Sequence, residues 1–294
     1  MELERTTEGS DSTHMENVKG MQNIVKEPAL ARSLGIPVSE FLDADYLEPK
    51  RMSKLQIQGR FVLTVYGEFM RANTAQMGSE KPTMAIPNPG MLKGLLEQYY
   101  YHPNTHIAIE KIAVMNEVRV VDMVCNELET SPSARSVQRA QKMEGTGVDV
   151  DFSVPTFEMR QQRSVSYVRD QKYIVVARLC AKRLEKDDKD IPKFNLTKVA
   201  SIFKRRVALG QNYYHTYLGT KECLADVELC TLEDLLEPSY YDGMTVQFGR
   251  MPFMADYRDV EHPVWYQYEP VMVNGVVDCP AESEVMGDAA YASD

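Results

Sequence analysis

Four cations, Lys198, Lys204, Arg205 and Arg206, precede a run that holds Gly210, Gln211, Asn212, Tyr213, Tyr214, His215, Tyr217 and Gly219. Cations on a helix face neutralise phosphates, a glycine-bounded loop lets the backbone approach another chain closely, and aromatic rings offer stacking surfaces to unpaired bases. The combination points to single-stranded or hairpin RNA. The plainer reading is a solvated basic face beside tyrosines that simply pack.

Other chemistries leave no signature. The chain has no GxxxxGK(S/T) loop, HExxH pair or GxSxG elbow, and Gly145-Thr146-Gly147 is too short for a dinucleotide fingerprint. The carboxylates Asp187, Asp188 and Asp190 alternate with Lys186 and Lys189, the pattern of a solvated loop rather than a metal site. Five cysteines (Cys125, Cys180, Cys223, Cys230, Cys279) show no CxxC spacing and no histidines at zinc-finger intervals, so reduced and mostly buried thiols are expected. No metal or cofactor is implied.

Charge supports the RNA reading only locally. The net charge is −10, yet residues 158–206 carry 14 Lys and Arg against 6 Asp and Glu, a balance of +8 that leaves −18 for the rest. The 294 residues allow one large or two modest domains. Apolar runs such as Tyr173 to Ala177 are far shorter than the roughly 18 residues a membrane span needs, and the N-terminus is polar and acidic, so a cytoplasmic protein without a membrane partner is expected.

The elements that position these residues can be read from periodicity. Residues 1–54 read as an extension, partly disordered, with a short amphipathic helix over Ser39 to Tyr46. Alternation over Leu55 to Tyr66 predicts a strand, and Asn88-Pro89 caps a helix that runs to about Tyr101. Strands follow at His106 to Val114 and Arg119 to Cys125, then a polar loop insertion over Glu127 to Gly147 and a buried strand over Tyr173 to Cys180. Asn195 to Leu209 is an amphipathic helix with a basic face that ends at Gly210. This order suggests an α+β fold with a ferredoxin-like domain over residues 55–225. A smaller β-rich region follows over residues 226–280, with strands at Met244 to Phe248 and Trp265 to Val277 and a hairpin turn at Asn274-Gly275. Residues 281–294 read as a disordered acidic tail.

Several motifs carry a resemblance. Phe203-Lys204-Arg205-Arg206, Gly210-Gln211, Tyr217-Leu218-Gly219 and Glu222 resemble the helix and glycine loop of the type I-C CRISPR-associated protein Cas-five (subtype d, also called c), of the RAMP superfamily. Val65-Tyr66-Gly67-Glu68-Phe69 resembles that family's first strand. Ile86-Pro87-Asn88-Pro89, Leu92-Lys93-Gly94-Leu95-Leu96-Glu97 and Tyr100-Tyr101-His102-Pro103 resemble its first helix. Arg160-Gln161-Gln162-Arg163, Val168-Arg169-Asp170 and Val271-Met272-Val273-Asn274-Gly275 extend the likeness over residues 55–280.

The resemblance implies an RRM-like RAMP domain that binds the repeat-derived 5′ handle of crRNA. It also implies metal-independent endonuclease cleavage of the crRNA precursor, and work beside the backbone and large subunits of the Cascade antiviral complex. A ribose 2′-hydroxyl attacks the adjacent phosphate and leaves a 2′,3′-cyclic phosphate, which calls for a base, an acid and a cation. By this likeness the catalytic tyrosine is Tyr100 and the catalytic lysine Lys198. The neighbouring family histidine is replaced by Val199, and His215 is the candidate replacement. Lys204, Arg205, Arg206, Gly210, Gln211, Tyr217, Gly219, Arg160, Arg163 and Arg169 are the expected RNA contacts; the arginines could equally pair with Glu158 and Asp170. Two alternatives stand: a crRNA-binding Cascade subunit without cleavage activity, because of Val199, and an acidic protein-protein adaptor.

Overall fold

The computed structural model describes residues 29–36, 60–73, 80–103, 105–128, 134–143, 160–181, 196–257 and 259–287. Its sheet is organised by β4 (Arg160–Ala181), a strand of 22 residues. Tyr173, Ile174, Val175, Val176 and Ala177 are all buried, so this half of the strand is covered on both faces, as its unbroken apolar run requires. There β4 pairs antiparallel with β1 (Arg60–Met70) on one side and β2 (Thr105–Val114) on the other. Its first half runs beyond them and pairs with β3 (Arg119–Leu128), forming an arm. The passage between halves is marked by Asp170 at φ 54, whose carbonyl accepts from Asn116 Nδ2 at 2.7 Å.

The full order is β5 (Asp226–Leu229), β1, β4, β2, β10 (Val276–Asp278), β9 (Val271–Val273), β6 (Thr245–Gln247). The strands of residues 226–280 therefore extend the same sheet, except β7 (Met251–Asp256) and β8 (Val264–Tyr268), which pair only with each other. The hairpin turn read at Asn274-Gly275 is present, with φ of 51 and 79.

One face of the sheet is covered by α2 (Pro89–Glu97) and α4 (Leu196–Ala208), packed over Leu63, Val65, Tyr173 and Val175. Asn88 caps α2 by accepting from Met91 N at 2.7 Å. The helix stops at Glu97, short of the expected Tyr101. Phe203 of α4 meets Phe61 with ring centroids 5.0 Å apart.

The opposite face holds a second apolar cluster. Leu30 and Leu34 of α1 (Ala29–Leu34), with Ile36 just beyond it, pack with Leu235 of α5 (Leu232–Leu236) on Ala113, Ile174 and Val176. Part of the N-terminal extension is thus built into the fold, and Lys111 Nζ donates to Ser33 O at 3.1 Å. A six-residue helix has too few hydrogen bonds to persist alone, so packing holds α1 in place.

Two readings are corrected. Residues 134–143 within the expected loop form α3 (Ala134–Met143), and β3 continues to Leu128. The expected tail opens with α6 (Glu282–Met286): Glu282 Oε1 lies 2.7 Å from His106 Nε2, both side chains buried, and Val285 and Met286 pack on the core. The helix read at Ser39 to Tyr46, the segment Glu2 to Gly20 and the Asp187–Asp190 stretch lie outside the described residues.

Leu34 is 2% exposed, so Leu34→Ala is expected to lower the unfolding free energy by about 2–5 kcal/mol. Urea unfolding followed by circular dichroism measures this, and an unchanged midpoint would mean that α1 contributes nothing to the fold.

Candidate nucleic-acid interface

Part of the candidate set, Arg206, Tyr100 and Tyr213, gathers where α2 and α4 end. α4 buries Val199, Ala200, Phe203 and Val207, which turns Lys198 and Arg205 outward and leaves Lys204 and Arg206 half-buried at the flanks. Gly210, at φ 61, ends the helix: Gly210 N donates to Val207 O at 3.1 Å and Gln211 N to Arg206 O at 2.8 Å.

Arg206 is the centre of the group. Its Nη1 donates to Tyr99 O at 3.0 Å, just past the last turn of α2, where carbonyls lack helical partners. Its guanidinium carbon lies 5.5 Å from the Tyr100 ring centroid and 5.2 Å from that of Tyr213. Tyr213 N donates to Gln98 O at 2.9 Å, which ties the loop to α2. The His102 ring lies 6.5 Å from that of Tyr100 and is inclined to it by 12°. Tyr99 is in the core, Tyr100 half-buried and Tyr101 exposed.

Lys198 is exposed at the other end of α4, eight residues before Arg206 and so about 12 Å away along the axis. Val199, where the resemblance expects a histidine, is 5% exposed and faces the core. His102 escaped the sequence reading because a histidine beside a turn has no visible partner; its place two residues after Tyr100 was the available signal.

The glycine loop is fixed by backbone contacts. Gly219 has φ 91, and a Cβ there would lie 1.9 Å from Arg71 O. Arg71 N donates to Leu218 O at 3.1 Å, and the buried Arg71 guanidinium donates to Glu222 at 3.0 Å. Burial raises the Glu222 carboxyl pKa, but hydrogen bonds from its own backbone, Thr220 and Arg71 outweigh that and hold it below the usual range. Tyr217, half-buried, bridges Leu224 across the loop.

His215 is separated in character from Tyr213. It lines a cleft of about 750 Å³ with Tyr66, Glu68, Asp226, Glu228 and Lys172. Tyr66 OH donates to Glu228 at 2.7 Å, and that bond, then burial, pushes the phenol up to about 12. Lys172 is engaged by Asp234 at 3.0 Å and Glu237 at 2.6 Å. Carboxylates dominate this cleft, so its field opposes phosphate.

The arm carries the remaining cations. Arg160 is exposed; Arg163 lies 3.4 Å from Gln161 Oε1 and 3.7 Å from Glu127, which also pairs with Lys81; Arg169 lies 3.4 Å from Asp170. Between β3 and β4 in the chain, Arg135, Arg139 and Lys142 of α3 fall on one stripe of a ten-residue helix without an acidic residue. This stripe was missed because the segment's polarity reads as loop, although ARSVQRAQKM is rich in helix formers. Among the described residues no group of three or more His, Cys, Asp and Glu is placed to hold a metal, and no helix is long and apolar enough to cross a membrane.

Gly219→Ala forces a side chain onto Arg71 O and is expected to cost about 2–4 kcal/mol. Thermal unfolding tests it; an unchanged midpoint would mean that the loop is free to move away from Arg71.

Residues 61–281 match the family model described as CRISPR-associated protein (Cas_Cas5). The CRISPR pre-crRNA endoribonuclease Cas5d of Mannheimia succiniciproducens is 26% identical over 225 residues, 75% of this chain and 95% of that protein. The CRISPR pre-crRNA endoribonuclease Cas5d of Thermus thermophilus is 24% identical over 163 residues, 55% of this chain and 61% of that protein. Among solved structures, one described as a CRISPR-associated protein shares the fold with TM-score 0.54 at 23% identity, covering 77% of this chain and 94% of that one.

Proposed function

The chain belongs to the Cas5d family of CRISPR-associated proteins, and we propose that it binds the repeat hairpin of precursor crRNA, cleaves beside it, and stays on the 5′ handle within a Cascade complex in the cytoplasm. The observation that carries the reading is the Arg206 guanidinium set against the Tyr100 and Tyr213 rings, with His102 stacked on Tyr100. It puts a cation, a phenol and an imidazole into one half-exposed group, the kinds of side chain that 2′-hydroxyl attack on a phosphodiester requires.

In this reading the ribose 2′-oxygen forms a bond to phosphorus as its proton leaves. The phosphorus–O5′ bond breaks, and the leaving oxygen takes a proton to become a 5′-hydroxyl. Tyr100 orients or deprotonates the 2′-hydroxyl, His102 exchanges protons and Arg206 balances the phosphorane charge, while Lys198, farther along α4, holds a neighbouring phosphate; the acidic cleft around His215 sets that histidine apart from the reaction. Lys204, Arg205, Gly210, Gln211, Tyr217 and Gly219 guide the strand along α4 and the loop. Arg160, Arg163 and Arg169 contact the strand from the arm, and the α3 stripe supplies further cations. The β5-β1-β4-β2 order, with α2 and α4 as crossovers on one face, supports a ferredoxin-like RAMP unit within residues 55–225, and the strands of 226–280 its β-rich companion.

A second reading, guide binding without cleavage, is favoured by one observation: Val199 is buried where the family resemblance expects a proton-carrying side chain.

Purified protein incubated with its repeat hairpin RNA in EDTA is expected to yield a 2′,3′-cyclic phosphate end. Tyr100→Phe and His102→Ala are expected to abolish the cut. Lys198→Ala is expected to weaken binding without abolishing the cut, and His215→Ala to leave the cut unchanged. Arg206→Ala is expected to weaken binding about tenfold and lower its salt dependence. Tight binding without a cut selects the second reading, and loss of both overturns the RNA assignment.

A further inference from the structure

Tyr213 has one side of its ring in use and the rest open. The Arg206 guanidinium carbon lies over the ring at 5.2 Å from its centroid, yet the residue is 63% exposed, so the surface away from Arg206 meets solvent. The ring adds nothing to the core, and what it has instead is a fixed place. Tyr213 N donates to Gln98 O at 2.9 Å, Arg206 Nη1 donates to Tyr99 O at 3.0 Å, and the same guanidinium lies 5.5 Å from the Tyr100 ring centroid. These contacts tie Tyr213 to three consecutive residues at the end of α2, the last of them Tyr100.

Cleavage by a ribose 2′-hydroxyl makes a demand that this arrangement meets. The attacking oxygen has to approach phosphorus opposite the departing O5′, whereas the regular stack of an A-form stem holds it beside that bond. The nucleotide at the cut must therefore leave the stack, and an unstacked base regains the lost contact on an aromatic ring. Tyr213 offers such a ring at a set position relative to Tyr100. Arg206 behind the ring restrains it through the cation–π contact, so little side-chain entropy is lost when a base arrives, and its charge favours the phosphate attached to that base. The occupant follows from these surroundings: a ring that shares its cation with the phenol and the neighbouring imidazole faces whatever those groups act on.

We propose that Tyr213 is a specificity-determining residue whose open face stacks the base of an unpaired nucleotide next to the stem, so that the chain takes a hairpin with a single-stranded base at the stem's end rather than a continuous duplex. The proposal rests on the RNA reading of this site and names the nucleotide that the site accepts.

The probe is the repeat hairpin RNA with a 2-aminopurine deoxynucleotide placed in turn at each unpaired position flanking the stem; the missing 2′-hydroxyl keeps the labelled linkage uncut. Anisotropy of an end label reports binding to the full chain, and 2-aminopurine emission at saturating protein reports stacking. Emission is expected to fall about twofold or more at one position next to the stem. Tyr213→Leu is expected to restore that emission and to weaken binding about tenfold, whereas Tyr213→Phe, which keeps the ring, behaves as the parent does. With an intact ribose there, the cyclic phosphate end is expected on that nucleotide, and extending the stem to pair it slows the cut about tenfold or more. Bound RNA whose emission falls at no position overturns the proposal. So does an equal fall in the parent and in Tyr213→Leu, or a paired nucleotide cut as fast as the unpaired one. Stacking that depends on Tyr213 while no RNA is cut upholds the proposal and removes only the cleavage assignment. RNA that fails to bind the parent chain overturns the RNA reading and the proposal with it, a result distinct from binding without stacking.

Discussion

The continuous pairing of β4 is the constraint from which the rest of the molecule follows. Residues 173–177 are hydrogen-bonded on both edges and buried on both faces, which fixes the register of β1 and β2 and the layers above and below. Because the same strand continues as the partner of β3, the arm is aligned by the core rather than by a loose connection. The left-handed Asp170 and the Asn116 side chain that grips its carbonyl let one strand serve two environments.

The layering also partitions charge. On the helical face, α4 turns its cations outward, and the end of α2 gathers Arg206 and the tyrosines. On the opposite face, α1 and α5 cover the apolar surface, and the open remainder is the cleft lined by Glu68, Asp226, Glu228 and Asp234. A net charge of −10 therefore does not describe the helical face, where α4 presents cations while Glu68, Asp226, Glu228 and Asp234 gather across the sheet. The same separation sets apart neighbours in the chain: Tyr213 sits against Arg206, and His215 lines the acidic cleft.

Periodicity made most of the framework legible. Alternation found β1, β2 and β3, Asn88-Pro89 gave the start of α2, and Gly210 gave the end of α4, because each signal is local. α1 was hidden because its six residues have little pattern of their own and are helical through contacts with Ile174 and Val176, far along the chain. The acidic tail misled for a similar reason: Glu282 reads as solvated until His106, 176 positions earlier, is brought to it. In the candidate site, residue types were legible and pairings were not. Tyr100 and Arg206 could each be singled out, but only the fold sets one against the other and adds His102.

The geometry also accounts for the valine at position 199. The buried stripe of α4 runs through Val199, Phe203 and Val207, so position 199 faces the sheet. A histidine there would have to be desolvated or displace core contacts, and valine instead completes the stripe. Chemistry on this helix is confined to its flanks and to what the neighbouring loops bring to them. Arg206 satisfies that condition, since it leans from the flank onto Tyr99 O and the ring of Tyr100. The end of α2, more than the start of α4, is thus where rings, imidazole and cation come together.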